Sequence, residues 1–132
     1  MPQTSRSASP KTGRRLLIAE DDDLNRELLI AILELLGHSV IAVTDGEAAV
    51  KMIISLKPAA ALIDIRMPKK DGLQVVKEIR AIAEFSSLPM IALTAYAIRG
   101  DRERCLSAGF DEYVAKPFKK RELKVALDQL LK

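Results

Sequence analysis

The sequence holds one cysteine, Cys105, and one histidine, His38. A single thiol closes no internal disulfide, which points to a reducing compartment such as the cytoplasm. One His and one Cys also make no zinc set. His38 reads as a helix-end residue and Cys105 as core packing. No apolar run approaches the roughly 20 residues of a membrane-spanning helix. Residues 1–15 are basic but carry no apolar stretch ahead of a cleavage site, so they do not read as a secretory signal. Those residues also lack any acid. Arg6, Lys11, Arg14 and Arg15 give them +4 of a net +3, which leaves −1 for residues 16–132. The basic character belongs to a tail rich in Ser, Thr, Pro and cations, expected to be disordered. With no patterned basic face beside it, direct nucleic-acid binding is not expected.

What remains is a chain of one-domain size, 48% hydrophobic, able to bury a single core. From Leu16 onward, short apolar runs alternate with amphipathic stretches. Leu16–Ala19, Val40–Val43, Ala60–Ile63, Met90–Leu93 and Glu112–Val114 read as strands. Leu24, Leu28, Ala31, Ile32 and Leu35 recur at helical spacing, and Gly37 stops that helix. Thr44 and Glu47 are spaced as a capping box ahead of a second helix, which Pro58 ends. Leu73, Val76, Ile79 and Ala83 mark a third. A shorter helix spans about 99–107, and Leu123, Leu127, Leu130 and Leu131 place the last one against the core. Five βα units predict an α/β fold: a doubly wound parallel sheet, flavodoxin-like, with strand order 2-1-3-4-5. The domain is expected over residues 16–132.

The polar residues gather where strands end. Glu20, Asp21, Asp22 and Asp23 follow the first strand, Asp64 the third, Thr94 the fourth and Lys116 the fifth. Ligand sites of open α/β sheets lie beyond those carboxyl ends. With strands one and three adjacent, Glu20, Asp21 and Asp64 converge. Converging carboxylates need a counter-charge, and an all-oxygen set suits Mg²⁺. A carboxylate can also act as a nucleophile and form an acyl phosphate, with Thr94 and Lys116 placed to bind the phosphoryl oxygens. Each residue has a plainer explanation. Asp22 or Asp23 reads as a helix cap, Thr94 as strand propensity, Asp64 as turn chemistry and Lys116 as a solvated charge. Asp71 reads as a cap of the third helix. The plain explanations do not account for all four strand ends together.

The segments LLIAEDDDLNRELL, ALIDIRMPKKDGLQVVKEIR, PMIALTAYA and GFDEYVAKPF resemble the receiver domains of bacterial two-component signalling. The Glu-Asp pair and Asn25-Arg26 look closest to receivers of hybrid sensor kinases. The resemblance implies that Asp64 is the phosphoacceptor and that Glu20 and Asp21 hold Mg²⁺, with Asp21 the more direct ligand. It implies that the Arg66 backbone carbonyl completes the metal site and that Thr94 and Lys116 contact the phosphoryl group. Tyr113 is then the aromatic switch residue, and Lys116–Pro117 a cis peptide. Tyr96, two residues past Thr94, would shield the phosphoryl group from water.

The implied function is a phosphorelay receiver. A histidine kinase or histidine phosphotransfer domain would donate to Asp64. The fourth helix, fifth strand and fifth helix, with Lys119, Lys120 and Arg121 at the edge, would signal an unknown output partner. Such a domain catalyses only its own phosphorylation and dephosphorylation and is not otherwise an enzyme. Three rivals stand beside this reading, the first of them with the same fold. A binding module that is never phosphorylated leaves the complete site unexplained. A phosphatase with an Asp nucleophile needs an acid two residues on, where Arg66 stands. A flavodoxin needs backbone donors for a flavin phosphate where the acidic first loop stands. Whether the chain is a stand-alone regulator or a piece of a hybrid kinase stays open.

Overall fold

Strands β3 (Ala60–Asp64) and β4 (Met90–Thr94) are buried along their whole length, as unbroken apolar strands must be when helices cover both sheet faces. The computed structural model describes residues 14–95 and 100–131. With β1 (Arg15–Ala19), β2 (Ser39–Val43) and β5 (Glu112–Ala115), these strands form one parallel sheet in the order β2-β1-β3-β4-β5. Between and after them run α1 (Asp23–Leu35), α2 (Gly46–Leu56), α3 (Gly72–Arg80), α4 (Asp101–Ala108) and α5 (Lys120–Leu130). The expected fold and strand order are the ones observed.

Alternation along the strands divides the core in two. Leu17, Ala19, Ala61, Ile63, Met90 and Ala92 meet residues of α2, α3 and α4. Leu16, Ile18, Ala60, Leu62, Ile91 and Leu93 meet α1 and α5. Cys105 is fully buried among the first set, as core packing requires.

Several local expectations are refined. The Arg14 carbonyl already accepts from Ser39, and Arg15 opens β1, so regular structure begins just before Leu16; residues 1–13 lie outside the described residues. The cap of α2 is Asp45, not Thr44: its carboxylate accepts from the Ala48 amide at 2.8 Å. Ala83 belongs to a separate 3₁₀ turn, Ala83–Phe85, rather than to α3. Of the two candidates Asp22 and Asp23, Asp22 caps α1; Asp71 caps α3 as expected, and Gln74 completes a capping box with it.

The largest correction concerns α1. Leu24, Leu28 and Leu35 do not face the core; they are 78%, 43% and 74% exposed. The buried stripe is Leu29, Ile32 and Leu33. Apolar residues occupy almost the whole circumference of this helix, so periodicity offers two stripes, and sheet packing selects one of them.

Two glycines set the loops beside the sheet's carboxyl ends. A Cβ on Gly46 would sit 2.0 Å from the Lys70 carbonyl oxygen, and one on Gly72 2.6 Å from that of Asp64. These close approaches press the β3–α3 loop, where Lys69 has φ 69°, against α2 and β3.

Candidate functional site

Strand parity explains why the acidic residues meet. Ala19 pairs with Ile63, so Glu20 and Asp64 are neighbours one step further on. The ladders continue past the strands proper: the Glu20 amide donates to Val43, and that of Lys116 to Thr94. Leu16, Ile18 and Glu20 share one sheet face, as do Ala60, Leu62 and Asp64. Val114 and Lys116 extend the same face on β5. One ammonium therefore reaches both acids. Lys116 Nζ lies 2.8 Å from Glu20 Oε1 and 3.1 Å from Asp64 Oδ2.

Each group is fixed from behind. Glu20 Oε2 accepts from the Asp22 amide at 3.1 Å, and the Glu20 carbonyl accepts from Arg26 Nη1 at 3.1 Å. Asp64 Oδ1 accepts from the Arg66 amide at 3.1 Å. Lys116–Pro117 is cis, and Phe118 turns inward beneath it, 6% exposed. The Lys116 ammonium is 5.9 Å from the Phe118 ring centroid, at the outer edge of a cation–π contact.

The electrostatics are those of a charge-crowded, half-dry site. Glu20 is fully buried, and burial drives its carboxyl up to about 7. The Lys116 contact opposes this rise and the charge of Asp64 adds to it. For Lys116, burial alone would lower the ammonium, but its contact with Glu20 and the charge of Asp64 more than offset that and hold it above its ordinary value. Lys116 stands 2.8 Å from Glu20 Oε1, a close ion pair in a buried place.

Glu20, with Asp21 and Asp64, meets the requirement of a hard cation. Glu20, Asp21 and Asp64 each offer a carboxylate oxygen within 4.8 Å of the others; Asp21 is exposed and the other two are buried. A cleft of about 560 Å³, lined by Asp21, Arg66, Asp71 and Arg104 among others, lies beside the cluster at Asp21. A second groove, about 510 Å³, runs along β5 and α5 away from the carboxylates, past Tyr113, Arg121 and Val125.

The remaining site residues lie on the opposite sheet face. Thr94 continues the row Met90, Ala92 toward α4 and is buried. Its hydroxyl donates to Asp101 Oδ2 over a long 3.4 Å. Tyr113 packs against the same half of the core. Burial first, and then the charge of Asp101, raise its phenol. Sequence reasoning missed Asp101. It reads as an ordinary acid in the first turn of a helix, and only the fold shows it buried beside Thr94. Tyr96 lies outside the described residues.

Comparison with known proteins gives this geometry its family. The response regulator receiver domain family matches residues 16–128. The chain belongs to that family. Among solved structures, the receiver domain of sensor histidine kinase PA1611 from Pseudomonas aeruginosa is 42% identical with a TM-score of 0.84, over 90% of this chain and 98% of that one. That structure is described as holding a magnesium ion coordinated in its active site cleft. The receiver domain of a signal transduction histidine kinase from Syntrophus aciditrophicus is 30% identical, TM-score 0.81, over 89% of each chain. Response regulator MprA of Mycobacterium avium is 38% identical over 118 residues, 89% of this chain and 51% of the relative. The receiver thus spans about half the length of the curated relatives it matches. The resemblance to two-component receivers, including those of sensor kinases, holds. Among the described residues no helix is long and apolar enough to cross a membrane.

Proposed function

We propose that this receiver accepts a phosphoryl group on Asp64 from a phosphohistidine of a kinase or phosphotransfer domain, in a Mg²⁺-dependent reaction. The observation that carries the reading is the Lys116 ammonium held between Glu20 and Asp64 at the mouth of a three-carboxylate cluster. An Asp64 carboxylate oxygen attacks phosphorus as the P–N bond to the donor imidazole breaks, and the imidazole keeps the bonding pair. Glu20, Asp21, Asp64 and, by family resemblance, the Arg66 carbonyl are the residues that would hold Mg²⁺. Bound there, the ion would screen the carboxylates from the incoming anion. Lys116 stays beside Asp64 and balances the charge that the phosphoryl group brings, about −1.5 to −2. Thr94 supplies its hydroxyl to a phosphoryl oxygen, and Tyr113 follows, altering the α4–β5–α5 face read by an output partner. The domain acts on itself alone and turns over no separate substrate.

The exposed stripe Leu24, Leu28 and Leu35 supports a protein donor. It starts at the helix end that carries the acidic pair, and an apolar row there fits the apolar surface of a helical donor. Acetyl phosphate with Mg²⁺, followed by intact mass, tests the acceptor. Wild type should gain one phosphoryl group and Asp64→Asn none, with the fold retained. Equal labelling of both, or none of folded wild type, overturns the reading.

A further inference from the structure

We infer that Asp101 is a positioning residue that holds the Thr94 hydroxyl toward α4 until a phosphoryl group on Asp64 draws it away. The inference rests on the proposed phosphoryl-contacting role of Thr94 and adds what opposes that role.

Asp101 is 7% exposed in the first turn of α4, an unusual place for a carboxylate unless its oxygens are engaged. One oxygen is engaged from outside: Arg104 Nη2 reaches Oδ1 at 2.7 Å from one helical turn on. The other, Oδ2, is where the Thr94 hydroxyl points, at 3.4 Å. Arg104 orients the carboxylate, so Oδ2 faces Thr94 as an acceptor in a dry place. Strand parity makes this a choice between two sides. Thr94 stands on the α4 side of the sheet, whereas Glu20, Asp64 and Lys116 extend the other side. A hydroxyl has one proton to donate. Donating it to a phosphoryl oxygen on Asp64 means withdrawing it from Asp101. The 3.4 Å separation makes this hold weak, as a switch requires: a short, strong bond would trap the resting state. Tyr113 lies within the field of the same carboxylate, so loss of Thr94 changes the surroundings of both switch residues and of the α4 N-terminus at once. A ligand shifts two states only by its differential contacts, and the Asp101 contact is one that the phosphoryl-bound state would give up.

Beryllofluoride with Mg²⁺, a phosphoryl mimic, is the probe, and the full chain is titrated by NMR. Removing this long, weak hydrogen bond from the resting state should tighten apparent binding about two- to fivefold in Asp101→Ala. Asp101→Asn keeps size and a weaker acceptor, so it should tighten less, and it serves if the alanine variant does not fold. The effect must pass through Thr94: in a Thr94→Ala background the Asp101 substitutions should change affinity less than twofold. Without any ligand, the Thr94 methyl resonance should move in both Asp101 variants toward its wild-type beryllofluoride position. Unchanged or weaker binding in the Asp101 variants overturns the inference. So does tightening that persists in the Thr94→Ala background, because mere loss of a negative charge near an anionic ligand would explain it. If wild type itself fails to bind beryllofluoride with Mg²⁺, the phosphoacceptor reading falls, and this inference with it.

Discussion

Replacing Glu20 by Gln should stabilise the metal-free protein, and more at pH 8 than at pH 5. The Glu20 carboxyl titrates near 4.5 in an unfolded chain and near 7 in the folded one, chiefly because it is fully buried. Below pH 4.5 both states are protonated, and the preference of the folded state for that proton stabilises the fold in full. As pH rises through 7 the folded state must ionise a buried acid, and the stabilisation is lost. A shift from 4.5 to about 7 corresponds to on the order of 3 kcal/mol across that window. Lys116, held above its ordinary value, contributes stability that is lost only as pH rises through its own folded titration point, above this window. Gln carries no titrating proton, so the difference in unfolding free energy between variant and wild type should grow by about 2–3 kcal/mol from pH 5 to pH 8. Urea unfolding in EDTA at several pH values measures it. Millimolar Mg²⁺ should then narrow the gap at pH 8, since a cation beside ionised Glu20 stabilises wild type selectively. A variant-minus-wild-type difference that stays flat with pH would refute the reasoning.

Other perturbations test the frame around the site. Leu24→Gln with Leu28→Gln should change stability by no more than about 0.5 kcal/mol; it should slow transfer from a phosphohistidine protein yet leave labelling by acetyl phosphate unchanged. A matching loss with acetyl phosphate would show that the stripe is not a docking surface. Gly46→Ala should cost about 1–3 kcal/mol in urea unfolding despite the better helix former, because its Cβ meets the Lys70 carbonyl oxygen at 2.0 Å. Arg80→Ala should lower stability by on the order of 3 kcal/mol. Its guanidinium donates to the carbonyls of Phe85, Leu88 and Gly109 and to Asp111, tying α3 to the entries of β4 and β5.

The strands were legible because each is an apolar run bounded by turn residues, and the acidic cluster because strand ends carry the ligands of such sheets. Asp64, Glu20 and Lys116 stand where that reasoning expects them. The face of α1 was not legible. Leu24, Leu28, Ala31, Ile32 and Leu35 recur as regularly as Leu29, Ile32 and Leu33; of the first set Ile32 is buried, and only contact with the sheet selects the second. Thr44 and Glu47 have the spacing of a capping box, but Asp45 is the residue whose carboxylate reaches the Ala48 amide. Asp101 was hidden for a different reason. Its partner Thr94 sits on another element, and nothing local to α4 reveals that its first turn is buried.

The sheet acts as a partition, with α1 and α5 on one side and α2, α3 and α4 on the other. The two halves have separate interiors and meet through the strands between them. Substitutions that recolour the outward leucines of α1 therefore disturb neither the Thr94–Asp101 pair nor the packing beneath α4. After a gene duplication, one copy could acquire a new upstream partner by drift on α1 while the α4 part of its downstream face stayed as inherited. The same wall makes the converse independent, so that α4 could be retuned without confusing one donor with another. A sheet usually described as a scaffold would here also insulate the outer surface of α1 from the α4 part of the readout face, while α5 stays on the α1 side.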